Sequence, residues 1–419
     1  MELFPIKSVS GKLKVPCSKS EAQRAILIAA LQGQPIRILM DEPSTDVLSV
    51  IELLRAAGFG IVMDAQGISF LSFPEKKSQL TLNVNESGFA FRSLATISLH
   101  WAETVILEAQ RSLLRRDFTE LVEHLTLIGI DVHSLENKQF CISGQLSAGE
   151  YTLQAEDSSQ SISGIFIALA NLPEISKITI KSAVSFPYLQ LTVDILRKFG
   201  YSVTQSAATY MFNGKKSLEN FSYRVSGDWS SAAVWFAAAA LKGEICLSGL
   251  NLDSYQPDKI ILDVIQQAGA KVMVNGCEIG ICKPSKELQP FSLDLMNCPD
   301  LFPVLAIFAC GISGTSHFYS TKRLKNKESD RITSILEMLD VFGVSYQSTV
   351  DSISIFGVGK INGGSVKVHG DHRLIMAATL ATCMCDSLIY LTDESDVKKS
   401  YISFFEHWNN NTTSLDYFY

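Results

Sequence analysis

Residues 54–62 read LRAAGFGIV, and their order decides the fold: the end of an amphipathic helix, Gly58, then a strand of alternating apolar residues. A glycine just past a helix end takes up the left-handed backbone that a Cβ penalises, so Gly58 marks a helix stop. The same order returns in LTLIGIDV around Gly129, LRKFGYSV around Gly200, IQQAGAKV around Gly269 and LDVFGVSY around Gly343. These glycines fall about 70 residues apart, the mark of an internal repeat. Hairpin candidates follow the stops, as in Ile61 to Leu71 around AQG and Lys271 to Cys282 around Asn275-Gly276, where Asn-Gly suits a tight turn.

The repeated unit therefore mixes helices and strands, and a chain of 419 residues holds about six of them. The stretch Val397 to Trp408 is the expected sixth helix, and the N-terminus is expected to supply the strand that this last unit lacks. That closure predicts two lobes with a cleft between them. One is discontinuous, residues 1–16 with 227–419, and carries both termini; the other is continuous, residues 17–226.

Composition fits large buried cores: 47% of the residues are hydrophobic and 19% charged, which excludes a disordered chain. The net charge of −7 argues against a general nucleic-acid or membrane-surface binder, although it permits a local basic pocket. Ala232 to Leu241 is the longest apolar run, far short of the ~20 residues of a membrane helix, and reads as a buried helix. The start, MELFPIK, has no basic segment followed by an apolar one, and the nine cysteines include no Cys-x-x-Cys pair. A cytoplasmic protein with reduced thiols and no structural zinc is expected. No exposed apolar stripe is visible in the pattern, so a monomer is expected.

No G-x-x-x-x-G-K-[ST] loop and no G-x-G-x-x-G turn is present, which sets kinases and dehydrogenases aside. Short polar clusters stand instead at element boundaries. Ser18-Lys19-Ser20 opens the run AILIAAL, and hydroxyls, free N–H groups and a lysine at a helix start suit an anion, although a plain N-cap reads the same way. Asp157-Ser158-Ser159-Gln160 precedes another apolar helix and is echoed by Gly227-Asp228-Trp229-Ser230-Ser231. Lys327, Glu328 and Arg331 fall within one turn at a helix entry, and Asp371-His372-Arg373 precedes LIMAATLA. No His, Cys and Asp grouping has metal spacing.

Taken in order, S-K-S-x-x-x-R at 18–24, S-G-x-x-x-R at 87–92, Arg116, D-S-S-Q at 157–160, S-x-P-Y at 185–188, N-C-P-D at 297–300, K-E-S-D-R at 327–331, D-H-R at 371–373 and K-K-S-Y at 398–401 resemble the 5-enolpyruvylshikimate-3-phosphate synthase family. The resemblance implies an α/β enolpyruvyl transferase fold of six βαβαββ repeats, three per lobe, with the active site in the cleft. It also implies transfer of the enolpyruvyl group of phosphoenolpyruvate to the 5-hydroxyl of shikimate 3-phosphate, with no metal, nucleotide or other cofactor. By this resemblance Lys19, Ser20, Arg24, Ser158, Ser159, Gln160, Ser185, Asp300 and Lys327 hold shikimate 3-phosphate. Lys19, Gly88, Arg116, Gln160, Arg331, Arg373 and Lys399 hold phosphoenolpyruvate. Asp300 takes the hydroxyl proton, and Lys19 with Glu328 moves protons at the methylene carbon. Two phosphorylated carboxylates placed side by side repel, and converging Lys and Arg offset that repulsion.

The chain departs from the family pattern beside Gly88, with Glu86 where Asn is usual and Phe89 where Thr is usual. Weaker phosphoenolpyruvate binding is expected from that carboxylate and that bulk. The segment AQRSLLRRD also lacks the usual Gly-Asp-x-Ser start, which leaves Arg115 as the alternative to Arg116. The sister transferase acting on UDP-N-acetylglucosamine usually has a reactive Cys in its mobile loop, and residues 108–117 contain none.

Overall fold

The stop at Gly58 is built as its sequence demands. After the helix Thr45–Ala57, Gly58 has φ 108°; its N–H donates to the Arg55 carbonyl and that of Phe59 to the Leu54 carbonyl, both at 3.0 Å. This double return is a Schellman motif, and Gly343 repeats it after the helix Arg331–Phe342. Gly129, Gly200 and Gly269 also have positive φ. The computed structural model of the chain describes residues 1–110, 113–114, 116–135, 139–156 and 158–414. Arg115 and Asp157 therefore lie outside the described residues.

The chain divides into two compact units, Met1–Pro16 with Ser226–Tyr419, and Cys17–Val225. In the continuous unit the strands Lys77–Asn83, Ala102–Glu108, Phe140–Ser143 and Asp131–Ser134 lie side by side in that order. The first pair is parallel and the others antiparallel. Glu150–Ala155, Ser176–Ala183, Thr209–Lys215 and Tyr201–Ser206 repeat this pattern, and so do Ser222–Arg224, Ile36–Leu39, Gly67–Ser72 and Gly60–Asp64.

The discontinuous unit has the pattern in Lys12–Lys14, Glu244–Ser248, Glu278–Cys282 and Lys271–Asn275, and again in Ser292–Asp294, Gly314–Tyr319, Ser352–Gly357 and Tyr346–Ser348. Its remaining larger sheet has three strands, Gly364–Val366, Ile389–Leu391 and, from the N-terminus, Glu2–Leu3. The expected continuous helix over Val397 to Trp408 is corrected: a 3-10 turn Ser395–Lys399 and a helix Phe404–Asn411 flank a break. There Tyr401 is fully buried, its hydroxyl paired with His407 Nδ1 at 2.8 Å.

Each unit has its own apolar core. In the continuous unit the helices Lys19–Gln32, Gly88–Ile97 and Gln160–Ala170 are buried almost all round, as are Trp229–Lys242, Phe302–Cys310 and His372–Ala381 in the other. A helix apolar on every face belongs inside, and only its ends can present polar groups. Polar residues of the sequence clusters stand at or just before the starts of these six helices.

Candidate active site

In the continuous unit Lys19 opens its helix behind Ser18, whose Oγ accepts from the Glu21 N–H at 3.4 Å. The Lys19 Nζ lies 3.1 Å from Asp46 Oδ2. One turn on, Gln23 Nε2 donates to the Asp46 carbonyl and to Ser87 Oγ, each at 3.1 Å. Ser87 caps the helix Gly88–Ile97, and its Oγ accepts from the Ala90 N–H. Arg92 Nη1 donates to Gln160 Oε1 at 3.3 Å, which ties that helix to the start of Gln160–Ala170. A Cβ on Gly88 would collide with Arg116 Nη1, so glycine at 88 is what permits this arginine its place. Ser158 Oγ accepts from the Gln160 N–H at 3.3 Å, and the Ser159 carbonyl accepts from Ser163 Oγ at 3.0 Å.

Arg24 lies in the same group and is 2% exposed. Its Nε donates to Thr192 Oγ1 at 2.8 Å, Nη1 to the Ser20 carbonyl at 2.8 Å and Nη2 to Ser163 Oγ at 3.3 Å. Burial lowers its pKa to about 10. The Phe89 ring, 7% exposed and part of the apolar core, faces the guanidinium with 4.3 Å from its centroid to Cζ; the Tyr188 ring lies at 5.5 Å. Ser185, just before the helix Phe186–Lys198 that carries Tyr188, has φ 54° and ψ 37°, a left-handed backbone that is costly for a residue with a Cβ.

The discontinuous unit gathers Asp300, Lys327, Glu328, Arg331, Arg373 and Lys399 around a different arrangement. Arg331 is wholly buried; its Nη1 is 2.7 Å from Asp300 Oδ1, its Nη2 2.8 Å from Glu328 Oε2 and its Nε 2.8 Å from Asp371 Oδ2. Arg373 Nη2 reaches Asp300 Oδ2 at 3.0 Å and Ser230 Oγ at 3.2 Å. Asp371 caps the helix His372–Ala381, its Oδ1 accepting from the Arg373 N–H at 2.9 Å. Lys399 Nζ pairs with Asp396 at 2.8 Å and donates to the Gly370 carbonyl at 3.1 Å. The cluster stands at a helix entry: the helix begins at Arg331, where Asp330 Oδ1 accepts from the Thr333 N–H, and Lys327 and Glu328 precede it in a loop.

Charge explains the ionisation here. Burial opposes a charged Asp300, but Arg373, Arg331 and Lys327 overrule it and hold the carboxyl well below the usual carboxylate range. Burial brings Lys327 down to about 7, against the pull of Asp300. Asp258, 1% exposed, is pushed up to about 7 by burial and then by Asp300; its Oδ2 accepts from Ser230 Oγ. Asp258 and Ser230 were not among the sequence candidates. Ser230 had a signal in the Asp228-Trp229-Ser230-Ser231 echo, and Asp258 had none.

The molecule is similar over its length to two solved structures. An EPSP synthase from Acinetobacter baumannii matches with TM-score 0.80 and 24% identity, over 99% of this chain and 98% of that one. The enolpyruvyl transferase NikO from Streptomyces tendae matches with TM-score 0.79 and 15% identity, over 99% of each chain. The fold is thus that of the enolpyruvyl transferases. The family model described as EPSP synthase (3-phosphoshikimate 1-carboxyvinyltransferase) matches residues 3–408. Curated proteins of the latter name are 32% identical in Methanocorpusculum labreanum, over 96% of this chain and 97% of the relative, and 31% identical in Clostridium perfringens, over 96% of each. The chain belongs to the EPSP synthase family of enzymes. Among the described residues no helix is long and apolar enough to cross a membrane.

Proposed function

We propose that this enzyme joins phosphoenolpyruvate to shikimate 3-phosphate, as a cytoplasmic monomer of aromatic amino acid biosynthesis that does not act on nucleic acid, with the two residue groups serving one reaction. In the addition step the 5-hydroxyl oxygen of shikimate 3-phosphate bonds to C2 of phosphoenolpyruvate. Its proton passes to Asp300, while the methylene carbon takes a proton through Lys19 and Glu328. The product is a tetrahedral intermediate bearing a methyl group. In the elimination step that methyl group loses a proton, the bond from C2 to the phosphate oxygen breaks, and inorganic phosphate leaves with the electron pair.

Lys19, Ser20, Arg24, Ser158, Ser159, Gln160, Ser185, Asp300 and Lys327 hold shikimate 3-phosphate in this reading. Lys19, Gly88, Arg116, Gln160, Arg331, Arg373 and Lys399 hold phosphoenolpyruvate. The observation that carries the reading is Asp300 held between Arg331 and Arg373. In the resting protein both arginines suppress its basicity. An anionic substrate arriving at Arg373 takes over part of that positive charge, so Asp300 becomes a better base only once phosphoenolpyruvate is bound.

The test is phosphate release from phosphoenolpyruvate by the purified chain. Release with shikimate 3-phosphate, none with UDP-N-acetylglucosamine, and at least a hundredfold loss in Asp300→Asn are expected, about the worth of a positioned base. Release with the nucleotide sugar alone would refute the substrate assignment, and an unimpaired Asp300→Asn would refute the role of Asp300.

A further inference from the structure

Arg24 poses a problem of charge. A guanidinium 2% exposed has lost nearly all of its water, yet among the described residues no carboxylate pairs with it. Its hydrogen-bond partners are the hydroxyls of Thr192 and Ser163 and the Ser20 carbonyl, all uncharged. They take three of the five N–H donors and leave one hydrogen on each terminal nitrogen. Its other neighbours are aromatic: Cζ sits over the Phe89 ring at 4.3 Å from the centroid and over the Tyr188 ring at 5.5 Å.

An aromatic face and a carboxylate both stabilise a buried cation, but with different results for a ligand. A carboxylate neutralises the arginine and must be displaced, or outcompeted, before a phosphorylated substrate profits from the charge. A ring quadrupole lowers the cost of burial while the full positive charge persists. It also fixes the plane of the guanidinium, so less orientational freedom is lost when an anion docks. Threonine, usual at this place in the family, has no such face.

We propose that Phe89 is a positioning residue for shikimate 3-phosphate, acting through Arg24: its ring sets the guanidinium plane and keeps the charge available to the substrate. The proposal rests on the assignment of Arg24 to that substrate. It revises the role expected of Phe89 from its bulk alone, since the ring is packed in the core with Arg24 against it and acts first on the shikimate ligand.

The experiment uses the full-length enzyme with four variants: Phe89→Leu removes the ring, Phe89→Tyr keeps it, Arg24→Met removes the charge, and the fourth combines Phe89→Leu with Arg24→Met. Shikimate 3-phosphate affinity is measured by titration without phosphoenolpyruvate, and KM for both substrates with kcat. Phe89→Leu is expected to weaken shikimate 3-phosphate binding roughly five- to thirtyfold, the range of a desolvated cation–π contact. The KM for phosphoenolpyruvate should move by less than about twofold, Phe89→Tyr should restore binding, and Phe89→Leu should cost almost nothing once Arg24→Met is present. Equal losses in Phe89→Leu and Phe89→Tyr, or equal shifts in both substrates, would overturn the proposal. If Arg24→Met weakens binding and Phe89→Leu does not, Phe89 alone loses its role. If Arg24→Met leaves binding intact, the assignment of Arg24 falls, and this inference with it. Should Phe89→Leu fail to fold, Phe89→Met removes the ring with an adaptable apolar chain and is read in the same way.

Discussion

Two arginines, each buried in its own unit, are held by opposite means. Arg331 is enclosed by three carboxylates, Asp300, Glu328 and Asp371, all within 2.8 Å of one of its nitrogens. Arg24 is enclosed by hydroxyls, a carbonyl and two aromatic rings. The first is already paired with carboxylates, so phosphoenolpyruvate, which we propose it helps to hold, must compete with them for its charge. The second is held by uncharged partners, and in our proposal its anionic partner is shikimate 3-phosphate. Burial of an arginine thus says little about its task until its counter-charges are counted.

The sharpest way to break this contrast is to delete each charge in turn. Arg331→Met leaves three carboxylates crowded in a buried site, and breaking a buried ionic cluster costs about 3–5 kcal/mol. Arg24→Met strands no carboxylate, and Thr192 and Ser163 keep each other as partners at 3.1 Å. Its unfolding free energy should stay within about 1 kcal/mol of the parent, while shikimate 3-phosphate binding falls about a hundredfold. Urea unfolding of both variants and a binding titration on Arg24→Met check this. Equal losses of stability would erase the distinction.

Asp258 extends the comparison to pH. Around Arg331 the positive charge is already claimed, and at Asp258 burial, then Asp300 and Asp228, outweigh Arg373 and the Ser230 hydrogen bond and hold the proton up to about 7. Its ordinary value is 3.8, so between the two the native chain binds this proton more tightly than the unfolded one. Raising the pH through that window therefore costs the native state, and the contribution is complete below about 4 and gone above about 7. Asp258→Asn should flatten this part of the stability profile. Unfolding curves collected across the window would show parallel slopes for parent and variant if Asp258 were ionised throughout.

Much of the fold was written in local signals. Helix stops at Gly58 and Gly343 depend on backbone geometry that glycine alone adopts freely, and that requirement shows in any sequence. The break before Phe404 was not legible, since it arises where Tyr401 turns inward, a matter of packing and not of pattern. In the site, motif residues were recognisable because each stands at or near an element boundary. Asp258 was not, since it lies in the polar loop 251–259 with no motif to set it apart from its neighbours, and only the fold brings it to Ser230. Likewise Phe89 reads as bulk in the sequence, and only the structure turns its face to Arg24.

The smallest expected effect concerns Ser185 in the unit of Arg24, whose left-handed backbone is matched in the unit of Arg331 by Ser320 and His369. Its φ of 54° places a side chain in a backbone region worth about 1 kcal/mol or more of strain. Glycine removes the strain but adds freedom to the unfolded chain, so Ser185→Gly should be neutral or up to about 1 kcal/mol stabilising. If the hydroxyl bonds the substrate, the same change should raise the KM for shikimate 3-phosphate by about two- to tenfold, the worth of one hydrogen bond. The thermal midpoint and KM then rise together, toward a sturdier protein and a poorer enzyme. A variant that gains stability and keeps its KM would mean that the strained serine serves the helix start Phe186–Lys198 and not the ligand.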